Sequence, residues 1–220
     1  MQPTDREDPG GAATSAHGTR DGIVEAARAR LLADGHAGLS TRKVAETAGV
    51  SVSQLHYHFG SKQGLLLAVL DEENRRRLER QRRMYASDRP LWQRYEQACD
   101  FLEDDIDSGY VRVLQELIAE GWANEGVAVA VRALLKGWYE LLIDVAEAAE
   151  ARHGPLGPFT AREAATLVGN AFMGSEAMIL LGFERDDLPV RAAVRRIGVL
   201  IRNVEERATT DGSNGASTGA

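Results

Sequence analysis

Cysteine and aromatic residues are scarce in this chain, and long apolar runs are missing altogether. The single Cys99 excludes an intrachain disulfide. It recurs at helical spacing with Tyr95, Ala98 and Leu102, so it reads as a small core residue, and a reducing cytoplasm fits. No stretch of about 18 apolar residues occurs, so neither a membrane span nor a membrane partner is expected. Residues 1–18 are polar and lack an apolar segment, which argues against a secretory leader. Catalytic signatures are also missing: there is no Gly-rich phosphate loop, no Gly-x-Ser-x-Gly, no His-Glu-x-x-His and no Cys pair. His17 and His153 fall in expected tail or loop segments without partners in sequence. These absences favour binding over catalysis, with no cofactor and no metal expected.

What is present is unevenly distributed charge. The 220 residues carry 26 Lys/Arg against 33 Asp/Glu, a net charge of −7. Residues 1–18 hold one Arg and three acids, residues 19–83 twelve basic and eight acidic groups, and residues 84–220 thirteen and twenty-two. The positive excess is confined to one region, which suggests a head that touches phosphate and a body that does not.

Within that region, Ser40 to Lys62 reads as two short helices, a tight turn between them and the start of a third. Thr41 to Ala48 puts Val44, Ala45 and Ala48 on one face. Gly49 follows, the residue type at which a helix can stop and reverse. Val50 packs the turn, and Ser51 can cap a second helix reaching about His58. Two helices joined by a Gly-containing turn form a helix-turn-helix, whose second helix is sized for the DNA major groove.

Taken in register, these residues resemble the tetracycline-repressor (TetR) family of one-component regulators. The resemblance runs from about Thr19 to Leu67: Ile23, Ala26, Ala27 and Leu31, then Gly35, Ser40-Thr41, Val44-Ala45 and Ala48-Gly49-Val50-Ser51. Leu55, Tyr57-His58-Phe59, Ser61-Lys62 and Leu65-Leu66 complete it. His56 stands where the family often has Tyr, and Ser53 where it often has Gly or another small residue. Both lie on the recognition helix, so the DNA sequence read is this chain's own.

The rest of the chain has helical periodicity throughout. Residues 1–18 and 209–220 are expected to be disordered tails, 19–66 the DNA-binding domain and 67–208 a helical domain for ligand binding and dimerisation. A long helix runs from about Lys62 to Ala86, and Pro90 opens another. Ser108-Gly109 breaks that one before Tyr110 to Trp122. Val127, Val131, Leu134, Trp138, Leu141, Val145 and Ala148 then mark a long helix that ends at Gly154-Pro155. Thr160-x-x-Glu163 has the form of a capping box, and Pro189 opens a last helix. The fold expected is all-α, with about nine helices.

Leu167, Ala171, Gly174, Met178 and Leu181 recur at spacings of four and three, as do Val190, Val194, Ile197, Ile201 and Val204. That rhythm packs helices at shallow angles. Phe172 and Ile179 lie off the first seam, and Gly169 and Gly174 permit close backbone approach. So much apolar surface calls for a partner, and the resemblance implies the same: a homodimer built on these two helices. Two recognition helices related by a two-fold axis would read a near-palindromic operator.

The resemblance implies a DNA face of Thr41, Arg42, Val52, Ser53, Gln54, His56, Tyr57, His58 and Lys62. Thr41 and Ser51 start helices, where free amides favour phosphate. Lys62 suits a phosphate contact, and Arg42 could reach phosphate or guanine. Val52 offers a methyl surface to thymine. Gln54 could pair with adenine, or fold back as part of a Ser-x-x-Gln capping box. Tyr57 fits either core or phosphate, and His58 phosphate or support of the fold. His56 and His58 are two apart and so cannot share a metal on one helix. The arginines from Arg75 to Arg83 alternate with Glu72, Glu73 and Glu79, as on a solvated face.

The resemblance further implies a small-molecule effector in the body, whose binding loosens the grip on operator DNA. The large inward-facing candidates are Phe101, Leu114, Leu117, Trp122, Trp138, Tyr139, Phe172, Met173 and Met178. Glu176, an acid within FMGSEAMILL, would need a partner if buried, either a cationic ligand group or an interface donor such as Asn170 or an arginine, and a surface or interface position is expected. The sequence shows no clear buried charge, so an apolar or mildly polar effector is expected. Activation instead of repression stays open, and an architectural DNA-binding role is disfavoured by the acidic body.

Overall fold

The computed structural model describes residues 10–183 and 186–215, without side chains at 10–18, 36–37 and 208–215. Among the described residues the all-α expectation holds: nine helices and no strand beyond an isolated bridge between Leu156 and Phe159. The chain divides into two compact units at Glu73–Asn74.

The first unit contains α1 (Gly10–Gly38, interrupted at Gly35), α2 (Thr41–Ala48), α3 (Val52–Phe59) and the start of α4 (Lys62–Tyr85). Ile23, Ala27, Val44, Leu55, Leu65 and Leu66 are buried to within about 1% of full exclusion. α2 stops where expected. Gly49 sits at φ 68°, a region costing an L residue roughly 1–2 kcal/mol. The reversal lets the Val50 N–H reach the Ala45 carbonyl at 2.9 Å and the Gly49 N–H reach Glu46 at 3.2 Å, so the last carbonyls are satisfied. The unit extends past residue 66 because α4 keeps packing against α1. Val69 and Leu70 are buried, and the Arg28 guanidinium donates to the buried Glu73 carboxylate at 2.5 Å.

The second unit contains the rest of α4 with α5 (Leu91–Asp107), α6 (Tyr110–Gly121), α7 (Glu125–His153), α8 (Ala161–Leu180) and α9 (Val190–Gly215). α7 packs between α6 and α8, and α9 lies against α5 and α8. Three helix starts are satisfied by side chains, locally or from a distance. Asn124 accepts the Gly126 and Val127 N–H groups, and Thr160 and Glu163 form the expected reciprocal box. Pro90 has no side-chain acceptor, and the Glu205 carboxylate from α9 accepts the Leu91 and Trp92 N–H groups instead, at 2.9 and 3.1 Å. Cys99 is buried, and burial pushes its thiol up to about 11.

Helix reaches beyond the boundaries read from composition. Residues 10–18 are helical backbone in α1, and α9 continues through residues 209–215, where tails were expected. Once nucleated, a helix lengthens by one hydrogen bond per residue, and Ala12, Ala13 and Ala16 favour it. Residues 1–9 and 216–220 of the expected tails lie outside the described residues.

Candidate nucleic-acid interface and body cavity

α3 is a short helix held at both ends by its own side chains. The Ser51 N–H donates to Gln54 Oε1 at 2.9 Å, and the Gln54 N–H donates to Ser51 Oγ at 3.1 Å. At the other end His56 Nδ1 lies 3.1 Å from the Gly60 carbonyl oxygen. Leu55 anchors the helix from the middle, with no exposed surface. Everything opposite Leu55 faces outward: Val52, Ser53, Gln54 and His56 are exposed, and Tyr57 is 86% exposed. Tyr57 is therefore not core. His58 is half-buried, edge-on to Tyr57 at 5.3 Å and tilted against Phe59 at 6.1 Å. Arg42 is exposed on α2, while Thr41 and Lys62 are half-buried at the starts of α2 and α4. Gln54 needs one correction: its Oε1 is engaged in the cap, so bidentate pairing with adenine would break the helix start, and only Nε2 remains for a base or phosphate.

A protein-family profile described as "Bacterial regulatory proteins, tetR family" matches residues 23–69, the segment that carries this geometry. Residues 23–69 are thus similar to the DNA-binding segment of the tetR family. That match supports a DNA-binding transcriptional regulator. A TetR-family regulator from Agrobacterium tumefaciens is 19% identical over 85% of this chain and 98% of its own, at a TM-score of 0.67. A TetR transcription regulator from Haloarcula marismortui is 17% identical over 85% and 97%, at 0.68. FadR from Bacillus subtilis, solved with stearoyl-CoA, is 16% identical over 82% and 96%, at 0.63. At such identities the likeness carries the fold alone. A search of curated proteins gives no match.

The regulator's second unit holds a partly open cavity of about 70 Å³ between α4, α5, α6, α7 and α8. Of the effector-site residues expected from sequence, Leu114, Trp138, Phe172, Met173 and Glu176 line it. Four others do not. Leu117 is fully buried in packing. Phe101 lies under the Arg80 guanidinium, 4.0 Å from its ring centroid. Tyr139 donates to Asn170 Oδ1 at 2.7 Å. Trp122 is 83% exposed, because α6 ends at Gly121 and the chain turns there against Ala128. The indole N–H of Trp138 is already given to Gln81 Oε1 at 3.0 Å.

Polar groups that sequence reasoning missed complete the wall. Arg77 and Arg80 donate to Asp105 at 3.0 and 2.8 Å, and Arg77 also stacks on Tyr110 at 3.8 Å. These two arginines are therefore not part of a solvated face. Burial raises the Asp105 carboxyl against the opposing pull of both guanidiniums. Glu176 is no surface acid: it is 7% exposed, and its partner is neither Asn170 nor an arginine. Gln115 Nε2 donates to its Oε2 at 2.8 Å. Burial first, then the nearby Asp105, pushes Glu176 up to about 8, while the Gln115 bond pulls the other way.

α8 has two apolar faces. Ala161, Ala165, Gly169, Phe172, Glu176 and Ile179 are buried inside the unit. Leu167, Gly174 and Leu181 are exposed on the other side, and Ala171 and Met178 are half-buried. On α9, Val190 and Val194 are buried in the regulator's own core, so the seam assigned to a partner is corrected there: those two valines are already covered. Ile197 and Ile201 are half-buried, while Val199 and Leu200 are exposed. A second, apolar cavity of about 380 Å³ opens among Leu167, Val168, Leu200, Ile201 and Phe159. His153 ends α7 instead of lying in a loop, and its Nε2 stands 3.6 Å from Glu205 at the polar rim. Among the described residues no helix is long and apolar enough to cross a membrane, and no cluster of His, Cys, Asp or Glu could hold a metal.

Proposed function

We propose that this regulator is a cytoplasmic homodimeric repressor that binds a near-palindromic operator and releases it when a small molecule occupies the body. The observation that carries this reading is the outer face of α3. Five consecutive-turn residues (Val52, Ser53, Gln54, His56 and Tyr57) are exposed on a helix whose single buried side chain is Leu55. A helix capped by its own Ser51 and Gln54 is rigid before it meets DNA, which lowers the ordering cost of binding. Arg42 and Lys62 flank it as phosphate contacts, with Thr41 and Ser51 at helix starts.

Dimerisation is supported by the outer face of α8 and α9. Leu167, Leu181 and Leu200 are 51%, 71% and 64% exposed in a single chain, a run of large apolar side chains that a second copy would cover. A ligand-binding body is supported by the cavity at Glu176. FadR, of the same fold, was solved with stearoyl-CoA. An effector releases DNA only through a difference in affinity between two arrangements, typically ~1–3 kcal/mol of coupling.

The test is selection of bound duplexes from random DNA, with the stoichiometry of the complex measured by sedimentation. Two chains on a consensus with two-fold symmetry, displaced by a metabolite fraction, is the expected result. A monomer without preference for any duplex would overturn the reading.

A further inference from the structure

Among the described residues, Glu176 is the one acidic side chain of the body buried on an inner helix face without a cationic neighbour. It projects from α8 and accepts one hydrogen bond, from the neutral amide of Gln115 on α6. Among the described residues no Lys, Arg or His pairs with it. The guanidiniums closest along the cavity wall are committed elsewhere. Arg77 on α4 donates to Asp105 and to Ser108 and lies on the Tyr110 ring, and Arg80 is bound to Asp105 over Phe101. The charge that Glu176 feels from α5 is Asp105, which repels it, and on α7 the Tyr139 hydroxyl is given to Asn170. A carboxyl taken out of water without a counter-charge stays protonated or waits for a cation.

We infer that the cavity at Glu176 recognises a compact organic cation, a protonated amine carried on a short apolar body. The assignment rests on the body being a ligand-binding unit, and it replaces the apolar effector expected from sequence. The other walls suit such a molecule. Trp138 and Phe172 stand edge to face at 6.1 Å, Leu114 adds aliphatic surface, and aromatic faces attract cations. An anion would find no free cation on the wall, because Asp105 holds the Arg77 and Arg80 guanidiniums, and would oppose any ionisation of Glu176. A cavity of about 70 Å³ admits a small head group and a few carbons, well below the ~300 Å³ or more of drug-sized sites.

Calorimetry on the full chain at pH 7 with butylamine, butanol and butyrate tests this. Butylamine is expected to bind at least about tenfold more tightly than butanol, and butyrate not measurably. Because Glu176 is mostly protonated at pH 7 when the cavity is empty, butylamine should drive off about one proton, seen as a dependence of the heat on the buffer's ionisation enthalpy. Glu176→Gln should erase the amine preference. The proposal is overturned by equal binding of butanol, by binding of butyrate, by amine binding without proton release, by a preference that survives Glu176→Gln, or by no binding at all. The two readings fail separately. A neutral or anionic effector that displaces operator leaves the sensor standing and removes the amine assignment. Butylamine binding that never alters operator affinity does the reverse.

Discussion

Replacing Glu176 with glutamine should make the regulator more stable at alkaline pH and leave it nearly unchanged in acid. The carboxyl stands near 4.5 in an unfolded chain and is pushed up to about 8 in the fold by burial and by Asp105. A raised folded-state value means that the native state holds the proton more tightly than the unfolded chain. The wild type therefore has its full stability below about pH 4.5 and loses it as pH rises toward 8, by up to ~1.4 kcal/mol per pH unit. Relaxation around a charged Glu176 reduces the total to a few kcal/mol, on the order of 2–4. Glutamine keeps the volume and can still accept the Gln115 N–H, but carries no charge to bury. At pH 9 the variant should melt roughly 5–12 °C above the wild type, and at pH 4.5 within about 2 °C of it. Paired thermal melts at pH 4.5, 7 and 9 measure the difference, in which other titrating groups largely cancel. A variant no more stable at pH 9, or one stabilised equally at every pH, would refute the account of Glu176.

Other substitutions test separate joints. A Cβ at Gly169 would stand 2.3 Å from Tyr139 Cε1. Gly169→Ala should cost about 1–3 kcal/mol, and the cost should largely vanish in a Tyr139→Ala background. Asp105→Asn leaves Arg77 and Arg80 without their shared acid and should cost about 3 kcal/mol in chemical denaturation. Arg42→Ala and Lys62→Ala should each lower operator affinity about tenfold or more and reduce the salt slope by about one, with melting nearly unchanged. Normal affinity in both would remove the assigned phosphate contacts.

Local chemistry made much of this structure legible in the sequence. Gly49, Ser51, Pro90 and the Thr160–Glu163 box mark helix ends by interactions within a few residues, and each end falls where those residues put it. The face of α8 that turns inward was not legible, because both of its faces are apolar. The Leu167–Leu181 seam has the cleaner spacing, yet the buried side is the one with Gly169, Phe172 and Glu176. Long-range partners were equally hidden. Gln115 lies 61 positions from Glu176, and Asp105 lies 28 and 25 from Arg77 and Arg80, so each looks like an ordinary helix-surface polar residue. Trp122 misled because size suggests burial, whereas the end of α6 leaves it outside.

The outer face of α3 carries the whole functional account, and repeating the duplex selection with Val52, Ser53 and Tyr57 all changed to alanine tests it most directly. All three are exposed and away from Leu55, so the head should stay folded. The consensus is expected to collapse to weak, salt-sensitive binding without sequence preference. An unchanged consensus at unchanged affinity would mean that another surface reads the DNA.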